Sequence, residues 1–430
     1  MKKLNFAATG DSFITRRLPS SDTSAAEIAA LIGRCDVRFT NFEMVTPNGE
    51  GFPAAQSGGT WAMADPKVIS DLHQYGFNLI AWANNHTMDY SYGGVQATKR
   101  FLDEYGFVHA GVGNNLAEAS EVKYVESEGG RVALIAATST FHESWLAGDQ
   151  RPDMRGRPGV NPLRYVATYR VNAEKMAMLR DIAKVTNINA TRELSIKEGF
   201  AAAAPVGSFV LGGLRFEESE EEGEHTRPHE GDLQRILQRV REAKSQADVV
   251  LISVHSHEMR AGNKDQPAEF LQTFAHRCID EGAHAVIGHG PHILRGIEIY
   301  QGCPIFYSLG NFIFQNETVT HLPTDFYEKY GLGHTHSVAE GYDTRSANGT
   351  IGLAMNEDVW RSVIATWTME NGRMESITLH PIDMGFGRPR YEMGLPKLTD
   401  DTAILMQMQE LSRPFGTKIT IVGSVGRIEL

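Results

Sequence analysis

Short apolar runs that end abruptly in acid, amide or imidazole side chains recur along the chain. The clearest is Phe77–Asp89 (FNLIAWANNHTMD), where a buried-strand pattern over Phe77–Ala83 stops at Asn84, Asn85 and His86. Asp248–His257 (DVVLISVHSH) ends in His255 and His257, and Ala283–His292 (AHAVIGHGPH) ends in His289 and His292. Nearer the N-terminus, Leu4–Asp11 delivers Asp11, and Val37–Glu43 delivers Asn41 and Glu43. In layered α/β folds ligands collect just beyond the carboxyl ends of strands, so these runs predict a polar site on one rim of a sheet.

Between the strands the spacing becomes helical. Ala25–Arg34, a segment opened by Asp65-Pro66 and closed by Gly76, Gly94–Tyr105, Gly231–Ser245 and Pro267–Glu281 each carry an apolar stripe or helix-boundary residues. Lys123–Glu126 and Arg131–Thr138 flank Gly129-Gly130 as a hairpin. Val363–Met369 and Met374–His380 flank Asn371-Gly372 as another. Ile297–Tyr300 and Ile305–Leu309 form a third around Gln301-Gly302, and the chain from 412 to 430 reads as a strand or ordered end. The alternation of strand and helix breaks between about 141 and 247, which reads as an insertion. Within it Ala173–Val185 is helical and the acidic run Glu217–Glu224 reads as a solvated loop. Thr46–Thr60 predicts a loop that overhangs the site, and His321–Asn348, with little periodicity, a long loop.

Composition narrows the class. At 430 residues, 41% hydrophobic and 22% charged, the chain is an ordinary globular protein. Its net charge of −12 argues against nonspecific nucleic-acid binding. Cys35, Cys278 and Cys303 are odd in number and widely spaced, which fits a reducing compartment. No apolar run approaches a membrane span, and MKKLNFAATGD reads as a first strand rather than a signal peptide; the expected location is cytoplasmic.

Asp11, Glu43, Asn85, His255, His289 and His292 are the ligand types that hold hard and borderline divalent cations. Glu43 could bridge two of them, and His86 could protonate a leaving group. No P-loop and no nucleophile elbow are present. His73, His109, His276, His284 and His380 read as structural, and Trp61 and Trp82 as core or pocket wall. Arg151, Arg155 and Arg157 either clamp an anionic substrate or are solvated.

Gly10-Asp11, Asn41-Phe42-Glu43, Asn84-Asn85-His86 with Asp89-Tyr90, Val254-His255, Gly288-His289-Gly290-Pro291-His292 and Phe306–Phe312 (FYSLGNF) together carry a resemblance. The sequence resembles the CapA (polyglutamate capsule biosynthesis) family, whose fold is that of the calcineurin-like metallophosphoesterases. The resemblance implies an α/β fold, a four-layer α/β/β/α sandwich, with its core in residues 1–140 and 248–315, an insertion at 141–247 and a C-terminal lid with added strands at 316–430. It implies Asp11, Glu43, Asn85, His255, His289 and His292 as ligands of one or two divalent ions (Mn, Fe or Zn) and His86 as the acid. Three features depart from that pattern. Phe13 stands where metallophosphoesterases carry the His of Asp-x-His. Gly290 stands where an extra His is frequent. Ser256-His257-Glu258 replaces the Trp-Gly that commonly follows the fourth motif, making His257 an additional candidate ligand. Gly333-His334-Thr335-His336 spells a closing motif in a loop-like stretch, so His334 and His336 are possible contacts, as is Asn41. The function implied is a metal-dependent hydrolase acting on a phosphoester of a small anionic substrate. The alternatives are an amide hydrolase acting on γ-glutamyl bonds and a non-catalytic capsule-related binding protein. Capsule-type members usually carry an N-terminal membrane anchor, and none is evident here.

Overall fold

The structure is a computed structural model and describes residues 3–19 and 23–429. The start of the N-terminal reading (Met1 and Lys2) and the last residue of the tail, Leu430, lie outside the described residues.

The chain is a mixed α/β protein with several mixed sheets. Among the described residues the largest sheet has ten strands. Its centre is Leu4–Phe13, which runs parallel to Val37–Phe42, followed by Leu79–Ala81 and Val108–Ala110. On its other side Leu4–Phe13 pairs antiparallel with Arg361–Glu370, and its last residues pair parallel with Asn311–Phe314. The hairpin Arg361–Glu370/Arg373–Asp383 and a terminal hairpin, Ile419–Val422/Val425–Glu429, complete that flank. The second sheet, of six strands, has Val249–His255 at its centre, between Gly130–Thr138 and Ala285–His289 and parallel to both.

Side-chain alternation explains how these sheets pack. Phe6, Ala8, Phe39 and Leu79 of the first sheet share one buried cluster with Leu134, Leu251 and Ile287 of the second. Their neighbours Ala7 and Ile80 turn the other way, onto Ile28, Ile32, Ile69, Leu72 and Leu102 of helices Thr23–Ile32, Val68–Gln74 and Ser91–Glu104. Ala133, Ile135, Val250 and Ile252 likewise turn onto Leu233, Ile236, Val240, Phe270 and Phe274 of helices Glu230–Lys244 and Glu269–Glu281. Each fully buried large apolar side chain contributes about 1.5–3 kcal/mol. The rims of both sheets are thereby held at fixed heights.

Register then aligns the polar rim. Asp11 is level with Asn41 and with Asn311, and His255 is level with His289. The first strand is longer than its apolar pattern predicts: it continues through Phe13, across an irregularity at Asp11/Ser12. Gly10 makes this possible, because a Cβ there would meet the Gly310 carbonyl oxygen at 1.8 Å. Asp11 N–H also donates to that carbonyl at 3.0 Å.

Within 141–247 the chain forms a small sheet of Ser208–Leu211, Leu214–Glu218, Tyr165–Val171 and Gly223–Pro228, with helices Ala173–Thr186 and Ala190–Lys197. The acidic run expected as loop lies partly in two of these strands; Glu217 in the first pairs with Arg215, and Glu222 in the connection between them pairs with Lys175. Tyr165 stacks on Phe270 with ring centroids 4.4 Å apart, attaching this sheet to the core. The expected long loop at His321–Asn348 contains two short helices, Thr324–Lys329 and Val338–Arg345. The second opens with a capping box, Ser337-x-x-Glu340, a local signal that outweighs weak periodicity. Tyr342 of this helix shares a 2.9 Å hydrogen bond with Thr60, joining it to the loop that was expected to overhang the site.

Candidate metal centre

The strand ends converge on one buried cluster. Asp11, His255 and His289 each offer a ligand atom, and these atoms all lie within 4.8 Å of one another; Glu43, His257 and His292 form a second such group. The groups adjoin. His255 Nδ1 is 3.0 Å from His289 Nδ1, and His255 Nε2 is 3.1 Å from His257 Nε2. Asp11 Oδ1 lies 3.4 Å from His289 Nδ1 and 3.7 Å from His255 Nδ1. Glu43 Oε1 lies 3.6 Å from His255 Nε2, and its Oε2 lies 3.8 Å from His292 Nδ1.

Surrounding groups orient these ligands. Asn41 Nδ2 donates to Asp11 Oδ1 at 2.7 Å, and Gly290 N–H donates to Asp11 Oδ2 at 2.9 Å. Ser253, two residues before His255 and therefore on the same face of the strand, lies 2.7 Å from His289 Nε2. Asn311 Oδ1 meets His292 Nδ1 at 2.9 Å, and His292 itself takes a left-handed backbone (φ 60°) to present its ring. Apolar periodicity carries no trace of Ser253, Gly290 or Asn311 as supports; only strand alternation and the Phe306–Phe312 motif point toward them.

Burial sets the charge states. It drives the His255 and His292 pKa values down to about 4 and that of His257 well below its ordinary value, so all three imidazoles are neutral. Burial also works to raise the Asp11 pKa, but His255 and His289 overcome it and hold that carboxyl well below the usual range. Glu43 has no such support. Burial first, then the negative charges of Asp11 and Asp89, push its pKa well above the ordinary value. Both Glu43 oxygens are buried and without a hydrogen-bond partner among the described residues, as is Asn85 Oδ1. Unclaimed carboxylate lone pairs facing neutral imidazoles whose nitrogens crowd to about 3 Å fit a divalent cation, which would occupy those lone pairs and offset the buried negative charge.

His86 sits beside this group in the turn after Leu79–Ala81. Its Nδ1 is 2.7 Å from Asp89 Oδ2, an arrangement in which Nδ1 donates to the carboxylate and Nε2 is free to exchange a proton with another partner. Asp89 is in turn held by the N–H groups of Gly58 and Ala62, at 3.1 and 2.7 Å. Asn85 Nδ2 donates to Gly58 O at 3.0 Å, so the 46–60 loop closes over this turn. Phe13 packs edge-on against His86, ring centroids 5.2 Å apart. His334 and His336 are not brought into the cluster: His334 is exposed, and the His336 ring bonds to Gly333 within its own turn. The five histidines read as structural hold partners away from the cluster, His109 with Asp103, His276 with Glu298, His284 with the Val250 N–H, His73 with the Tyr105 carbonyl and His380 with Thr366. Trp61 and Trp82 are buried, and Arg151 is solvated.

Fold and cluster thus define a mixed α/β protein with buried carboxylate–imidazole groups that could hold a metal ion. The family model for the bacterial capsule synthesis protein PGA_cap matches residues 5–316, and the chain belongs to that family. An uncharacterised Sinorhizobium fredii protein, y4sH, is 35% identical over 98% of this chain and 92% of its own length. The capsule biosynthesis protein CapA of Bacillus anthracis is 24% identical over 58% of this chain, and the PGA biosynthesis protein CapA of Bacillus subtilis 25% over 58%. The chain matches less than half of these two relatives' lengths, 43% and 44%. Among the described residues no helix is long and apolar enough to cross a membrane.

Proposed function

We propose that this protein is a metal-dependent hydrolase built on the metallophosphoesterase-type sandwich, with a phosphoester of a small anionic molecule as its substrate. The observation that carries this reading is the pair of unclaimed, buried Glu43 oxygens among neutral imidazoles. Asp11, His255 and His289 would hold one cation, and Glu43, with His257 and His292, would share in holding it or a second. Bound there, a divalent cation supplies Lewis-acid polarisation and lowers the pKa of a water. The chain's own residues do the rest. Asn41, Gly290 and Ser253 keep the ligands oriented, an effect that supporting hydrogen bonds commonly exert on metal sites. His86, fixed by Asp89, delivers a proton from Nε2 to the leaving oxygen. The buried setting limits bulk water around the reacting group.

A second reading, prompted by relatives named for capsule and PGA biosynthesis, has the same residues cleave a γ-glutamyl amide, with His86 protonating the leaving nitrogen. The test is metal analysis of protein purified without chelator, followed by turnover of a panel of phosphoesters and γ-glutamyl amides. The expected result is bound Mn, Fe or Zn and turnover confined to phosphoesters. Turnover of the amides alone selects the second reading. Bound metal far below one ion per chain, with no turnover after reloading, sinks both.

A further inference from the structure

Directly after His257 the chain makes a two-stranded hairpin, Met259–Arg260 with Asn263–Pro267. Its residues are mostly polar and turned to solvent: Asn263, Asp265 and Gln266 are exposed. Lys264 is the exception, half-buried between them. We infer that Lys264 seats an anionic group of the substrate, a phosphate or carboxylate, beside the His292 side of the cluster. This deepens the hydrolase reading, on which it rests, by naming what the site recognises apart from the bond it breaks.

Three observations converge. The Lys264 ammonium makes no hydrogen bond or ion pair among the described residues; burial and then the like charge of Arg295 weigh against it, with Asp265 and Asp358 only partly offsetting them. Partial burial of a cation without a partner is unfavourable, and an arriving anion relieves it. Second, the hairpin is fastened to the cluster by Arg295, which follows His292 by three residues and is fully buried. Arg295 Nε donates to the Lys264 carbonyl at 2.9 Å, and its Nη2 reaches the His257 carbonyl at 3.5 Å. One planar guanidinium therefore sets the distance between the lysine's backbone and a candidate ligand's backbone; Arg295 is a positioning residue. Third, Lys264 and the site share neighbours. The lysine's charge acts on His292, and Asp358 belongs to the turn whose next residue, Val359, accepts from Asn311, the partner of His292.

The experiment is calorimetric titration of inorganic phosphate, and separately of γ-glutamylglutamate, into the full chain with and without manganese, for wild type, Lys264→Gln and Lys264→Arg. Manganese affinity is measured on the same samples. The expected result is that Lys264→Gln weakens the preferred anion about tenfold or more, the effect of losing one charge-assisted hydrogen bond. Lys264→Arg should stay within about threefold of wild type, since the cation is kept, and manganese affinity should be unchanged in both variants. The anion that responds identifies the source of the oxygen, phosphate or carboxylate. Equal anion affinity in wild type and Lys264→Gln overturns the inference, as does a wild type that binds neither anion. A wild type that takes up no manganese, yet loses anion binding in Lys264→Gln, sinks the hydrolase reading and leaves the lysine site standing.

Discussion

At the residue scale, the site separates groups that would hold a cation from the group that would move a proton. His255 contacts both carboxylates and two other imidazoles, whereas His86 is bonded to Asp89 and packed on Phe13. The two histidines should therefore fail differently. His86→Ala is expected to retain metal and lose turnover by about 10²–10⁴-fold, the usual contribution of a positioned proton donor. His255→Ala is expected to lose the metal itself. Metal analysis alongside kinetics checks both, and variants that leave metal content and turnover untouched would show the assignment to be wrong. Most of these residues were legible from sequence because each ends an apolar run. Their supports were not, because Ser253 and Asn311 act through register between strands that are distant in sequence, and a one-dimensional pattern carries no register.

At the scale of elements, the tie between the Pro162–Tyr165 segment and helix Glu230–Lys244 is the clearest electrostatic fastening. Asp232 is fully buried at the start of that helix and accepts from Arg164 Nε at 2.7 Å and Arg235 Nη1 at 2.6 Å. Burial alone would raise its pKa; bonds from Arg164 and the charge and bonds of Arg235 hold it at about 2 against an ordinary 3.8. A folded-state pKa below the unfolded one means the stabilisation is complete above about pH 3.8 and is lost as pH falls through about 2. Asp232→Asn should destabilise by about 3 kcal/mol at neutral pH, because both guanidinium partners lose their carboxylate. Denaturant melts should show that gap between wild type and variant closing as the pH falls from 4 to about 2. A gap that is constant with pH would mean the helix start, not the ion pair, is what the substitution disturbs. Glu230–Lys244 was readable from its stripe of Leu233, Ile236, Leu237 and Val240. The 324–345 helices were not, because they are only six and eight residues long and the capping box Ser337-x-x-Glu340 marks the start of the second alone.

At the scale of the whole molecule, the buried cluster is a place where a ligand bound only by the folded state would stabilise the entire fold. Adding manganese at a hundredfold excess over its Kd should stabilise the protein by about 2.7 kcal/mol, read as a rise in Tm that chelator reverses. The same rise in the His255→Ala variant would mean that the ion binds elsewhere on this acidic surface. A layered α/β arrangement was expected from the alternation of strand and helix and from the family resemblance; residues such as Phe6/Ala7/Ala8 and Val249/Val250/Leu251 divide between inner and outer clusters. The position of Leu4–Phe13 in the middle of its sheet was not, since its antiparallel neighbour lies more than 350 residues downstream.

That placement has a consequence for how the chain is made. The first strand off the ribosome is bordered in the finished protein by Asn311–Phe314 and Arg361–Glu370. At about 5–20 residues per second, elongation leaves one of its edges open for tens of seconds. A nascent chain halted at residue 316, where the family match ends, would still expose that edge to any passing strand. The residues of the candidate metal groups, Asp11 to His292, all emerge before the strand that closes this edge, so they can gather only around a sheet that is still open on one side.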